Sequence, residues 1–259
     1  MTALRYVYAV CRPLSAPLQA QLTGVAGIPA RQLEHHGLIA VLSLVPEADF
    51  AEEPLKEHLE DLEWRTATDR AHQNVIDALT GVTTPLPLRL GTVFRDDSGV
   101  RVMIEEREED FRRALERLEG RVEWGVKVYV EEEAEQEAKE DGRPAARPAS
   151  GRDCLRQRRT RTVAHQERWQ KADEFARRLH ERLSGYAEDS RLHAPQNASL
   201  SGACGRNVLN ASYLVPRARS EEFVELVDRA EDDTPGMRVE LTGPWAAYSF
   251  TGSSNCSAC

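Results

Sequence analysis

The sequence has 259 residues, 41% hydrophobic and 30% charged, which supplies enough apolar material for a packed core and argues against a disordered chain. Its net charge of -9 sets a repulsive field against phosphate backbones and anionic lipid, so neither nucleic acid nor a lipid membrane is expected as a partner. No apolar run approaches the roughly 20 residues that span a bilayer. Met1 to Val10 alternates around Arg5 where a signal core would be continuous, so a cytoplasmic location is expected.

Leu4 to Val10 is apolar, aromatic and β-branched enough for a buried strand that ends at Arg12-Pro13. Gly24, Gly27 and Pro29 mark a loop. Arg31 to His36 and Leu38 to Val45 flank Gly37 as two strands joined by a tight turn, and the unbroken apolar character of the second makes it central in its sheet. From Pro54 the period becomes helical: Leu55, Leu59 and Leu62 share a stripe, and Trp64, Ala67, Ala71, Val75 and Leu79 resume it after a phase slip, up to Gly81. Pro85 to Phe94 suits an edge strand or an extended connector. Val100, Ile104, Phe111, Leu115 and Leu118 form one further helical stripe with Gly120 as its stop.

Near the midpoint, Val122, Trp124, Val126, Val128 and Val130 fall on one parity and Glu123 and Lys127 on the other, the pattern of a strand with one apolar face. From this strand onward the order is β-α-β-β-α-β, that of a ferredoxin-like domain. The helical part spans Arg152 to Leu183 and follows an acidic run, Glu131 to Asp141, and a break at Arg143 to Gly151. That arrangement is read as a crossover with an inserted helical hairpin. Arg191 to His193 and Asn207 to Val215 are the next strands. Ser220 is placed as the cap of a helix that buries Phe223, Val227 and Ala230, and Met237 to Leu241 is a last strand ended by Thr242-Gly243-Pro244. The expectation is an α+β chain of two domains. An N-terminal α+β domain covers 1-120, a modified ferredoxin-like (βαββαβ) domain with the helical hairpin covers 121-250, and 251-259 is a flexible tail.

Motifs for chemistry are sparse. The five cysteines, Cys11, Cys154, Cys204, Cys256 and Cys259, are scattered, and the C-S-A-C of the last two has no histidine pair at H-x3-5-H spacing to complete a zinc site. The basic run Arg152, Arg156, Arg158, Arg159 and Arg161 lacks interleaved aromatics and reads as a solvated face opposite the acidic run. Ser201 to Gly205, S-G-A-C-G, departs from both phosphate-loop spacings. Glu105, Glu106, Glu108, Glu109 and Asp110 read as an exposed helix side with ordinary carboxyl pKa values. His72 lies at the margin of a helix core and reads as structural. No catalytic, cofactor-binding or metal-binding residue is expected. Trp245, Tyr248 and Phe250, three aromatics in G-P-W-A-A-Y-S-F, either dock on the protein or contact a partner.

Taken together, several stretches resemble the gas vesicle protein F/L family. They are Arg5-Tyr6-Val7-Tyr8, Pro87-Leu88-Arg89-Leu90-Gly91-Thr92-Val93-Phe94, Glu123-Trp124-Gly125-Val126-Lys127-Val128, Gly151-Arg152 with Leu155, Asn210 with Tyr213-Leu214-Val215, and Thr242-Gly243-Pro244-Trp245 with Tyr248-Ser249-Phe250. Cys154, Ser212 and Ala246-Ala247 depart from the family's pattern, which has tyrosine, alanine and paired prolines there. The resemblance implies two α+β domains and no catalysis. It also implies a place on gas vesicles, with the small apolar shell protein and other gas vesicle accessory proteins as partners during assembly. The rival reading is a small-molecule-binding regulator or enzyme with a cleft between two ferredoxin-like units, which requires a concave pocket with converging polar groups.

Overall fold

The computed structural model describes residues 3–14, 22–130, 151–195, 205–232 and 236–251, with 151–165 and 231–232 described as backbone only. It is an α+β structure with two sheets. One unit comprises Met1–Glu123 together with the chain from Pro244, and the other comprises Trp124–Gly243. Against the expected boundaries, the division thus falls after Glu123, and Pro244 to Phe250 return to the first unit.

In the first unit, β1 (Ala3–Cys11), β2 (Arg31–His35), β3 (Leu38–Pro46), β4 (Leu86–Pro87) and β5 (Val93–Phe94) form a sheet of order β2-β3-β1-β4, with β5 also on β1. β3 is internal, as its apolar run requires. The antiparallel register of β1 on β3 shifts between Val7 and Ala9, which leaves Tyr8 as an extra residue. A bulge of this kind changes which parity faces a given side. Leu4, Tyr6 and Tyr8 therefore share one core cluster with Ala9 and Cys11, although the two sets have opposite parity.

Onto that face pack α1 (Glu47–Phe50) and, after α2 (Glu52–Glu60), α3 (Leu62–Thr80), which bury Phe50, Val75, Ile76 and Leu79. The phase slip read in the sequence is a real break at Asp61, whose carboxylate accepts from Glu63 N at 2.9 Å and Trp64 N at 3.3 Å to start α3. The other face of the sheet, with Val7, Val10, Ala40 and Leu42, is buried too. α4 (Asp97–Glu106) and α5 (Glu108–Leu118) pack against β2, β4 and β5 and bury Val100, Ile104, Phe111, Leu115 and Leu118. In the sequence these residues form one stripe. The helix breaks at Arg107, and Glu108, Glu109 and Asp110 then occupy the first turn of α5, where acidic side chains suit the helix dipole. Asp97 ties the sheet to α4, accepting from Arg5 Nε and an Arg31 terminal guanidinium nitrogen, both at 2.7 Å.

The two buried tyrosine hydroxyls of this core are hydrogen-bonded. Val25 N donates to Tyr8 Oη at 2.9 Å, and Tyr8 Oη donates to Ser43 Oγ at 2.8 Å. Gly24 is required beside it, since a Cβ there would lie 2.0 Å from Tyr8 Oη. Gly91 N donates to Tyr6 Oη at 3.2 Å, and the Tyr6 hydroxyl is hydrogen-bonded to His72 Nδ1 at 3.0 Å. The other ring nitrogen of His72, Nε2, is buried with no hydrogen-bond partner among the described residues. Burial lowers the imidazole pKa to about 4, against a weaker opposing pull from Asp69. His72 is structural, as its setting in the sequence indicates.

The second unit holds β6 (Arg121–Val130) from Trp124 on, α6 (Gly151–Ser184), β7 (Asp189–Leu192), β8 (Arg206–Pro216), α7 (Ser220–Asp232) and β9 (Met237–Trp245) up to Gly243, with sheet order β7-β8-β6-β9. β7 and β8 are antiparallel from Asp189↔Leu214 to Leu192↔Ala211. α6 buries Ala172, Leu179 and Leu183. α7 buries Phe223, whose ring lies 6.3 Å from Trp124 and 5.5 Å from Tyr213. Ser220 is not a cap: its backbone is already helical, and its hydroxyl accepts from Trp124 Nε1 at 3.3 Å. β9 runs on through Thr242-Gly243-Pro244, where the sequence suggested it would stop. The acidic run, and with it the first arm of the expected helical hairpin, lies outside the described residues, as does the tail beyond residue 251.

Two outcomes follow from the first core. Gly24→Ala drives a methyl into the Tyr8 hydroxyl and is expected to cost about 2–3 kcal/mol in urea unfolding. His72 is held neutral when folded and takes a proton more readily when unfolded, so stability is full above pH 6.5 and falls as pH drops toward 4. At about 1.4 kcal/mol per pH unit, a loss of about 2 kcal/mol is expected from this group between pH 6.5 and 5.0, and His72→Phe should flatten that slope.

Candidate partner-docking surface

The aromatic segment at the end of β9 is built around a buried carboxylate. Alternation in β6 places Glu123 with the solvent-facing residues, yet Glu123 is only 7% exposed. Its Oε2 accepts from Ser249 N at 2.8 Å and its Oε1 from Ser249 Oγ at 2.5 Å. One side chain thus satisfies both donors of a residue 126 positions away, and charge-assisted bonds of this kind are stronger than neutral ones.

That anchor fixes a short 3-10 turn, Tyr248–Phe250, in which Phe250 N donates to Ala247 O at 3.1 Å and Tyr248 N to Ala246 O at 2.8 Å. Ala246 belongs to the core cluster of Tyr6 and Tyr8, and Ala247 is buried as well. Phe250, 2% exposed, is an anchor, and its burial contributes about 2–3 kcal/mol. Trp245 and Tyr248 are the outward pair, at 41% and 36% exposure. Burial raises the Tyr248 pKa, and Asp77 and Asp69 of α3 raise it further. The three aromatics singled out in the sequence therefore divide into one internal post and two surface rings. Leu62, Val102 and Leu192 are other large apolar side chains exposed among the described residues.

Elsewhere the chemistry is thin. A cleft of about 190 Å³ in the first unit is lined by Pro13, Val82, Thr83 and Leu115, and its two charged groups, Arg12 and Glu119, are paired at 2.9 Å. Cys11 is buried, which pushes its thiol pKa up to about 12 and leaves it unreactive. The side chains of the basic run, most of S-G-A-C-G, and Cys256 and Cys259 lie outside the described residues. No helix among the described residues is long and apolar enough to cross a membrane. Of the carboxylates of α4 and α5, Glu105, Glu106, Glu109 and Asp110 are exposed, and Glu108 departs from expectation. Glu105 reaches His35, and Glu108 reaches His36 and Arg112, which hold the Glu108 carboxyl below its usual pKa range. Local spacing carried no signal for these pairs, because the histidines precede the carboxylates by 70 and 72 residues.

Residues 4–252 match the family model described as gas vesicle synthesis protein GvpL/GvpF. The chain is 56% identical to gas vesicle protein L of Streptomyces sp. strain CB03234 over 96% of its own length and 93% of that protein's. With gas vesicle protein F of the same strain it shares 28% identity over 95% and 98% of the two chains. The crystal structure of GvpF from Anabaena sp. PCC7120 superposes with a TM-score of 0.68 at 17% identity, covering 99% of both chains. That of GvpF from Microcystis aeruginosa gives 0.67 at 17%, covering 98% and 100%.

Replacing Glu123 tests the anchor. Glu123→Ala leaves two donors of the turn without their acceptor and is expected to lower stability by about 1–3 kcal/mol. Limited proteolysis should then cleave within residues 244–251 well before the wild type is cut there. Equal cleavage rates would show that the turn holds without the carboxylate.

Proposed function

The chain belongs to the GvpL/GvpF family of gas vesicle synthesis proteins, and from that premise we propose that it is a non-enzymatic assembly protein that binds the small apolar shell protein while vesicles form. It works in the cytoplasm, at growing vesicles and beside other accessory proteins. Family membership carries this reading, and twice the identity to protein L than to protein F of one strain supports an L-type member. The order β-α-β-β-α-β with strands β7-β8-β6-β9 supports a modified ferredoxin-like fold for the second unit.

Trp245 and Tyr248 are the contact residues in this reading. Aromatic side chains dominate binding energy at protein interfaces, because each covers a large area with few rotatable bonds. Here the backbone that bears them is already ordered by Glu123 and Phe250, so little ordering entropy is lost when a partner covers the rings. A subunit that polymerises through apolar surface needs such a cover until it is incorporated, and the net charge of -9 keeps the covering protein dispersed.

Co-expression with the shell protein, followed by pull-down and a solubility assay, tests both levels. Wild type is expected to retain the shell protein in a soluble complex. Trp245→Ala with Tyr248→Ala should cut the amount recovered at least about tenfold while thermal unfolding stays near that of wild type, the loss of about 1.4 kcal/mol or more expected of an interface anchor. No complex with wild type would overturn the function, and undiminished recovery by the double variant would overturn the choice of contact residues.

A further inference from the structure

We propose that His35, His36 and Glu105 bind one divalent transition-metal ion, zinc above the others, at the tip of the β2–β3 hairpin. The hairpin turns on His36 and Gly37, whose φ angles of 51° and 68° give the left-handed pair that a two-residue turn needs. For glycine this conformation is free. For histidine it is a rare one, and here it brings the two imidazoles face to face, centroids 4.4 Å apart and planes 28° apart.

α4 brings the third group to this pair: Glu105 Oε1 lies 2.6 Å from His35 Nε2. One ligand atom from each of His35, His36 and Glu105 lies within 4.8 Å of the others. Ligands of a tetrahedral zinc, bound at about 2.0–2.2 Å, stand about 3.3 Å apart, so side-chain rotations at an exposed hairpin tip suffice to close the site. The ion takes the place of the hydrogen that His35 Nε2 donates to Glu105 Oε1, so the ring passes to its Nδ1–H tautomer, the Nε2 proton leaving to solvent as Nδ1 gains one.

The surroundings are those of a metal-binding histidine. Glu108 Oε2 lies 2.7 Å from His36 Nδ1 and accepts a hydrogen bond from it, so in the neutral ring Nε2 is the nitrogen that offers a lone pair to an ion. Arg112 steadies the arrangement from both sides: its Nε donates to Glu108 Oε1 at 2.9 Å and a terminal nitrogen donates to His36 O at 2.6 Å. Two imidazoles and one carboxylate suit zinc and its neighbours in the first transition row, whereas magnesium and calcium prefer all-oxygen sites. Three protein ligands leave a fourth position for water. Bound there, the ion would fasten the hairpin to α4 and stabilise the first unit.

The test uses the full chain without a histidine tag, titrated with zinc sulfate by calorimetry and by thermal unfolding. One equivalent per chain and a rise in Tm are expected. His35→Gln with His36→Gln, and separately Glu105→Gln, should weaken binding at least about tenfold while the metal-free Tm and circular dichroism stay close to wild type. Glu108→Gln acts through the His36 tautomer and should weaken binding less. Because Cys256 and Cys259 are two cysteines at half-site spacing, Cys256→Ser with Cys259→Ser is the control and should bind as wild type does. Absence of saturable binding overturns the proposal, as does binding that survives the histidine changes and vanishes with the cysteines.

Discussion

The first unit depends on a single constraint: β1 is buried on both faces and must present two tyrosines to the same side of its sheet. A regular strand achieves this for residues 6 and 8, but then Ala9 and Cys11 would point the other way. The bulge at Tyr8 resolves that, and it does so where Val25, Ser43 and the open space at Gly24 receive the hydroxyl. Tyr6 is handled by Gly91 and His72. Phenols buried without partners would each cost about 1–3 kcal/mol, so the position of the bulge and the presence of these hydrogen-bond partners are one requirement seen twice.

The same economy governs the aromatic segment. Ala246 joins the tyrosine core and Phe250 is buried as a post, so Trp245 and Tyr248 are displayed by residues that are themselves structural. The display is electrostatically secured: one carboxylate receives the two donors of Ser249. Rigidity at this point comes from three separate elements, β1 through Ala246, β6 through Glu123 and the 3-10 turn itself.

Much of the scaffold was legible. The strands around Leu4, Leu38, Val122 and Asn207 and the helices around Val75, Leu179 and Val227 announce themselves because their burial follows a local period. The helix breaks at Asp61 and Arg107 hid better, since a cap or a single residue outside helical geometry leaves the stripe on either side intact. Glu123 was misread for a related reason. Alternation assigns a face but says nothing of a serine arriving from 126 residues away, and the pairing of His35 and His36 with carboxylates is equally remote. The triplet Trp245, Tyr248, Phe250 was visible as a group, but its division into post and display is decided by the turn, which local composition does not encode. Ser220 and the end of β9 failed where a residue with a strong local preference was overruled by tertiary partners, Trp124 for the one and the sheet for the other.

The return of the chain from Pro244 to the first unit bears on how the protein comes to be made. During synthesis the N-terminal residues leave the ribosome first, yet the body they belong to lacks Ala246 and Phe250 until the entire intervening unit has been translated. Trp124 to Gly243 form a contiguous stretch and can mature as soon as they emerge. The earliest-made half of the molecule is therefore sealed by residues that are made after the whole of the second unit.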